Sequence, residues 1–187
     1  MDRKTFISTL MIFPSMRFFS KEPIPEKHFF KDDGLVPNNK LPLLWYRNVF
    51  DARDEKGASW LEERFYANNW KNSWRNGIFT FQHYHSIAHE VLGIYSGKAK
   101  VLLGGDKGAV VEVKAGDIIV IPAGVGHKNL GDENLGVVGA YPNGMDVDIL
   151  RAQPGDRPQA DRNIAAVPLP ASDPLLGNGK GLIDYWK

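Results

Sequence analysis

From Gly77 onward, short apolar segments alternate with turn residues. Val, Ile and aromatic residues are frequent in these segments, which favours β-strands. The segments recur about every ten residues without an intervening helix, as is typical of an antiparallel barrel or sandwich. The predicted strands are residues 78–85, 91–95, 98–103, 109–113, 118–121 and 135–141. The pattern therefore predicts an all-β fold.

A short helix is predicted before these strands. Ser59 and Glu62 have the spacing of a capping box, and apolar residues follow at helical spacing up to about residue 68. Prolines and charged residues in 21–40 predict an extended lead-in, and the proline-rich segment after residue 153 predicts an irregular tail. We expect Leu182, Tyr185 and Trp186, close to the end of that tail, to pack back on the domain.

The charge balance and the residue types narrow the chemistry. The 187 residues include 23 Lys and Arg against 22 Asp and Glu, so the net charge of +1 gives no reason to expect nucleic acid or an anionic membrane as a partner. No apolar segment is long enough to predict a membrane span. Without cysteine, any metal has to bind to His, Asp or Glu.

The N-terminal residues 1–22 form a predicted extension. They have a basic start and a short apolar run from Phe6 to Met16, which is interrupted by Pro14. The run resembles a degraded export signal, and the other interpretation is an arm packed on the domain or on a neighbouring subunit. A cytoplasmic location is expected, with export as the alternative.

Four of the five histidines lie in the strand-rich region, and two of them form a chelate-like pair. His83 and His85 share one face of the predicted strand because side chains alternate along a strand. Glu90 is in phase with Leu92 and Ile94, which would bring its carboxylate to the same interior. His127, after a glycine-rich turn, would supply a third imidazole. Three imidazoles and a carboxylate suit one divalent transition metal, Fe, Mn, Ni, Zn or Cu.

Two motifs resemble the signatures of the cupins. The first, G-x5-H-x-H-x4-E-x6-G, is matched by Gly77, His83, His85, Glu90 and Gly97. The second, G-x5-P-x-G-x2-H-x3-N, is matched by Gly116, Pro122, Gly124 and His127, with Gly131 in place of the last Asn. Over residues 23–187 the chain resembles the YjlB-like single-domain cupins.

The resemblance implies a cupin double-stranded β-helix, or jelly-roll barrel, with a short N-terminal helix and irregular termini. Residues 23–187 would be a single domain whose barrel core covers about 77–142, with the metal inside and a homodimer as the common assembly. The metal ligands would be His83, His85, Glu90 and His127.

Other residues are candidates for supporting contacts to the ligands or to a substrate. His89 lies on the opposite phase from Glu90, so a rim or supporting position is expected. Arg75 could bind a substrate carboxylate, although a structural ion pair is the simpler interpretation. Tyr141, at the end of the last predicted strand, could lie near the barrel mouth, together with Asp148 and Arg151. Trp70 and Trp74 are expected to pack in the core.

Two functional hypotheses follow. The first is a metal-dependent enzyme of the oxygenase, isomerase or decarboxylase type, which acts on a small polar organic acid or enol. The second is a non-catalytic cupin that binds a metal or a small ligand. The fold does not distinguish between these hypotheses, because the same fold supports many reactions.

Overall fold

The computed structural model describes residues 22–187, so residues 1–21 of the predicted N-terminal extension lie outside it. Seven strands form one sheet within this range: β1 Glu26–His28, β2 Leu43–Tyr46, β3 Trp70–Asn76, β4 Glu90–Leu103, β5 Ala109–Lys114, β6 Ile118–Ile121 and β7 His127–Pro142. Their order in the sheet is β1-β2-β6-β4-β7-β3, and β5 pairs with β4. Every pairing between these strands is antiparallel. The all-β prediction is confirmed.

Side-chain alternation along the strands divides the core into two layers. Leu92 and Ile94 of β4 face the barrel interior, where they pack with alternate residues of β2 and β6. Val91, on the opposite face, packs in a second cluster that includes residues of helix α1 (Asp54–Ala67). Glu90 lies in phase with Leu92, so the same alternation directs its carboxylate into the interior.

Strand β4 is longer than predicted because the expected turn at Ser96-Gly97 is a bulge. The pairing of β4 with β7 shifts register on both sides of Ser96, and Gly97 adopts a φ of +63°. An extra residue in one strand reverses the phase of the residues that follow. Ala99 and Val101 therefore join Ile94 in the interior cluster, although their positions are odd and that of Ile94 is even.

Helix α1 begins before the predicted capping box. Its first residue is Asp54, with Arg53 as the N-cap, so Ser59 lies inside the helix and the box is wrong. Asp54 and Glu55 occupy the first turn, where the positive end of the helix dipole favours acidic groups. Glu62 makes an ion pair with Arg75 of β3.

The predicted strand at 78–85 is wrong. This segment is an extended loop that makes only isolated bridges, from His83 to His127 and from Tyr84 to Leu150. The strand that precedes it, β3, was not predicted. Its sequence WKNSWRN is polar and includes Asn72 at a φ of +54°, so it does not show the alternation of a half-buried strand.

The tail contains more regular structure than predicted. A 3-10 turn at Pro154–Asp156 and the helices α2 (Gln159–Ala166) and α3 (Leu182–Tyr185) follow the last strand. Leu182 and Trp186 are buried against the core, as expected. Asp173 is fully buried and accepts hydrogen bonds from Tyr46 and from three backbone N–H groups of the tail. Within residues 22–187, no helix has the length and apolar character needed to cross a bilayer.

Candidate metal centre

Three separate segments bring the four predicted ligands together. His83 lies in the loop before β4, Glu90 is the first residue of β4, and His127 is the first residue of β7. The backbones of His83 and His127 exchange two hydrogen bonds, of 3.2 and 2.9 Å, which fix these two segments side by side. His85 follows two residues after His83 and presents its ring to the same cavity.

The four side chains form a compact, buried group. Each is at most 5% exposed. One ring nitrogen from each of His83, His85 and His127 lies within 4.8 Å of the corresponding nitrogen of the other two. Glu90 Oε1 is 3.4 Å from His85 Nε2, and Glu90 Oε2 is 3.2 Å from His127 Nε2.

Backbone carbonyls orient all three imidazoles in the same way. His83 Nδ1 faces the Phe81 carbonyl and His127 Nδ1 faces the Val125 carbonyl, both at 3.3 Å. His85 Nδ1 is hydrogen-bonded to the Asp148 carbonyl. A carbonyl only accepts hydrogen bonds, so each Nδ1 carries the proton and each Nε2 presents a lone pair. This is the arrangement by which proteins commonly orient metal-binding histidines.

The Glu90 carboxylate places a negative charge inside the cluster of imidazoles, and it affects their pKa values. Glu90 Oε2 is buried without a hydrogen-bond partner, and its contact with His127 Nε2 does not have hydrogen-bond geometry. Burial, together with the neighbouring imidazoles, lowers the pKa of His83 to about 3. Burial acts in the same direction on His85, but the Glu90 carboxylate outweighs it and raises the pKa of His85. The Glu90 carboxylate therefore favours a proton on His85 while burial keeps His83 neutral.

A directed hydrogen-bond chain holds the other oxygen of Glu90. Trp74 Nε1 donates to the Tyr141 hydroxyl at 2.8 Å, and Tyr141 donates to Glu90 Oε1 at 3.1 Å. The indole N–H can only donate, so the single phenolic proton is directed to Glu90. Burial and the nearby carboxylate raise the pKa of Tyr141 above its ordinary value, which keeps this donor protonated. Gly139 leaves the space that the Trp74 indole occupies.

The four side chains line a cavity of about 240 Å³. Its remaining walls are mostly apolar, with Trp74, Ile78, Phe79, Leu92 and Ile149 among them. Phe79 and Ile149 are 41% and 48% exposed, so they lie towards solvent at the mouth of the cavity. The cavity can therefore hold a small molecule next to the cluster of imidazoles and carboxylate.

Arg75 lines the cavity but is already engaged. Its Nε and Nη2 donate to the two oxygens of Glu62 at 2.8 and 2.7 Å, and its Nη1 donates to Glu55 at 2.6 Å. The hydrogen bond to Arg75 lowers the pKa of Glu62, so this carboxylate stays charged. The interpretation of Arg75 as a structural ion pair is supported by this geometry.

His89 and the other candidates lie outside the lining of the cavity. His89 accepts a hydrogen bond from the Ala123 N–H at 3.0 Å and contacts the Trp186 ring on the opposite side of the strand. Arg151 stacks over Phe81. Trp70 packs in the core and donates to the Ser172 carbonyl.

Sequence reasoning missed several contributions to the site, all of which depend on distant contacts. Trp74 packs against the interior core cluster, as expected, but its indole N–H also donates to the Tyr141 hydroxyl, 67 positions away. The Asp148 backbone orients His85, while the Asp148 carboxylate accepts from the Ser86 N–H at 2.7 Å. Glu55 and Glu62 of helix α1 form ion pairs with the Arg75 guanidinium. No local pattern could have identified these roles.

The chain is similar in sequence to a curated protein. No protein-family model matches it. YjlB of Bacillus subtilis (strain 168), whose name describes it as an uncharacterised protein, is 39% identical over 163 residues, which cover 86% of this chain and 96% of that protein.

Two solved structures are similar to part of the chain at low identity. Acireductone dioxygenase from Bacillus anthracis, with a cadmium ion in its active centre, is 17% identical over 58% of this chain and 82% of its own, with a TM-score of 0.40. An oxalate decarboxylase of Bacillus subtilis with Mn(II) centres is 18% identical over 62% of this chain and 29% of its own, with a TM-score of 0.36.

Proposed function

The chain belongs to the YjlB-like cupins, and from this premise and the geometry of its cavity we propose that it is a metal-dependent enzyme that acts on a small molecule. His83, His85, Glu90 and His127 would hold one divalent transition metal from the group Fe, Mn, Ni, Zn and Cu. The observation that carries the proposal is the cluster of one ring nitrogen from each of His83, His85 and His127 within 4.8 Å of one another, beside the buried Glu90 carboxylate, whose Oε2 has no hydrogen-bond partner.

A metal accounts for this arrangement better than internal hydrogen bonding does. If the imidazoles only bonded to one another and to Glu90, protons would have to lie between them, but the backbone carbonyls keep the Nδ1 protons on the far sides of the rings. A buried anion without a paired cation is costly. A divalent cation would satisfy the carboxylate and the three lone pairs together.

The surrounding residues suit a reaction at such a centre. A bound metal would act as a Lewis acid on substrate oxygens, or would activate O₂, which is the chemistry of oxygenases, isomerases and decarboxylases. The chain of Trp74 and Tyr141 holds one oxygen of Glu90, and the apolar walls exclude water from a bound molecule. A substrate would bind through oxygen atoms, as an organic acid or an enol does.

Elemental analysis of the purified protein tests the metal. We expect about one transition metal per chain, and we expect His83→Ala and His127→Ala to lose most of it because each removes one of four ligands. His28→Ala is the matched control, since His28 lies on β1 away from the cluster. Metal-free wild-type protein that takes up none of Fe, Mn, Ni or Zn would contradict the proposal.

Turnover separates the enzyme from a binding protein. The metal-loaded protein would be assayed for product formation and O₂ consumption with small hydroxy acids, keto acids, diols and enols. Turnover that is lost in His83→Ala supports the enzyme. Tight metal binding without turnover of any of these compounds favours the non-catalytic alternative.

A further inference from the structure

The cavity lining contains one arginine, Arg75, and most of the five N–H groups of its guanidinium are engaged within the protein, by two carboxylates and by Ser59 Oγ at 3.4 Å. Nε, Nη1 and Nη2 of Arg75 all donate to carboxylates on helix α1, two of them to Glu62 in a bidentate pair. A bidentate pair uses the same edge of the guanidinium that would recognise a carboxylate of a ligand. The pairing with Glu62 therefore competes with the binding of a ligand's carboxylate by Arg75.

The local charge also opposes a second anionic group on a ligand. Glu55 and Glu62 carry two negative charges against the single positive charge of Arg75, so this cluster has a net charge of −1 beside the cavity. Two other polar groups line the wall: the Tyr141 hydroxyl is bonded on both sides, to Trp74 and to Glu90, and Asn76 accepts a hydrogen bond from the Gly77 N–H at 2.8 Å. The remaining wall, including Ile78, is mostly apolar and would not solvate a charge.

From this we infer, on the basis of the proposed metal-dependent function, that the substrate binds through two neighbouring oxygens and carries an apolar body without a second anionic group. Glu55 and Glu62 are then specificity-determining residues, because they neutralise Arg75 and repel anions. A cavity of about 240 Å³ lies below the usual 300–1,000 Å³ of pockets for drug-sized ligands. The substrate class is a compact enol, diol or hydroxy ketone rather than a dicarboxylic acid.

Two hydroxamates of nearly equal size test the inference. Both 4-nitrobenzohydroxamate and 4-carboxybenzohydroxamate chelate a metal through two oxygens, but only the second carries an additional negative charge. Their dissociation constants from the Zn(II)-loaded protein would be measured by calorimetry at low ionic strength, where exposed charges are least screened. The quantity of interest is the preference for the nitro compound, expressed as the ratio of the two constants.

The Glu55→Gln/Glu62→Gln variant changes the charge beside the cavity from −1 to +1 while keeping side-chain size. We expect the preference for the nitro compound to fall by about tenfold, the effect of one hydrogen bond between charged groups. Adding Arg75→Leu should restore most of the preference. Because the comparison is between two ratios, any difference in the intrinsic metal affinity of the two hydroxamates cancels.

Glu133→Gln is the matched control, since it removes a carboxylate from an exposed ion pair with Lys98 outside the cavity lining. Its ratio should equal that of the wild type. An unchanged ratio in the double variant, or no binding of either hydroxamate to the Zn(II)-loaded protein, would overturn the inference. Failure of the wild type to bind Zn(II) or any other transition metal would instead contradict the proposed function.

Discussion

At the residue level, the two oxygens of Glu90 have different surroundings. Tyr141 donates to Oε1, whereas Oε2 faces His127 without a hydrogen bond. Because the direction of the Trp74–Tyr141–Glu90 chain is set by the indole N–H, Tyr141 cannot turn its proton elsewhere without losing this arrangement. The chain therefore engages Oε1 and leaves Oε2 without a hydrogen bond, so Oε2 would be available to hold a metal.

Removal of the Tyr141 hydroxyl tests this assignment. Tyr141→Phe should keep about one metal per chain but weaken its binding about 10–100-fold, the usual effect of removing a contact that orients a ligand. Trp74→Phe should weaken binding less, since Tyr141 could still donate to Glu90. The affinities would be measured by competition with a chromophoric chelator.

Combining the two substitutions tests whether Trp74 affects metal binding through Tyr141, and Tyr46→Phe is the control. If Trp74 acts through Tyr141, the Trp74→Phe/Tyr141→Phe variant should bind metal no more weakly than Tyr141→Phe alone. Tyr46→Phe also removes a hydroxyl from a buried carboxylate, that of Asp173, but away from the cavity. It should lower stability and leave metal affinity unchanged. Equal metal affinity in Tyr141→Phe and wild type would refute the positioning role.

At the level of secondary structure, the pairing of β3 with β7 positions Trp74 in the cavity wall. Their register shifts between Lys71 and Trp74, and Trp74 then lies opposite Gly139. The indole fills the space over Gly139 that a side chain would otherwise take. A glycine on one strand thus determines where a hydrogen-bond donor on the neighbouring strand can lie.

Gly139→Ala should displace the Trp74 indole. An added methyl group would overlap the ring, so we expect the free energy of unfolding to fall by about 1–3 kcal/mol, as for other overpacked sites. The hydrogen bond from Trp74 to Tyr141 should also be lost, which should weaken metal binding. Urea denaturation and a metal titration measure the two effects. Gly155→Ala is the control because the space around Gly155 is open, and a variant at Gly139 as stable as that control would contradict the packing argument.

At the level of the whole molecule, the proposed metal would tie three segments of the barrel together. The loop before β4, the start of β4 and the start of β7 each contribute ligands. Only the folded chain holds these groups close together, so metal binding should stabilise the fold by mass action. The homodimer expected from the family resemblance remains a prediction, which sedimentation analysis would test.

Metal addition to the apoprotein should therefore raise the melting temperature. At a free metal concentration 100 times the dissociation constant, the stabilisation is about 2.7 kcal/mol. For a chain of this size that corresponds to an increase of about 5–11 °C. Calorimetric scans with Mn, Fe, Ni, Zn and Cu would measure it, with His83→Ala as the variant expected to respond weakly. A flat response to all five metals in the wild type would argue against a preformed site.

The sequence by itself determined the class of fold and the chemistry of the candidate ligands. Turn residues and β-favouring segments are local features, so they predicted the strands 109–113 and 118–121 to within one residue. The phase of Glu90 with Leu92 and Ile94 follows from strand geometry alone. The spacing of His83 and His85 likewise places both side chains on one side of an extended segment, whether or not that segment pairs in a sheet.

Only the tertiary structure decided which groups act together. Whether Ser96-Gly97 is a turn or a bulge depends on pairing with β7, not on the dipeptide. Trp74 meets Tyr141 across 67 positions, and Arg75 meets its two carboxylates on a helix that precedes it. Such contacts arise when distant segments pack, and each selects one partner among many of the same type. For that reason the sequence could identify the imidazoles and the carboxylate, while only packing could show what holds them and what surrounds their ligand.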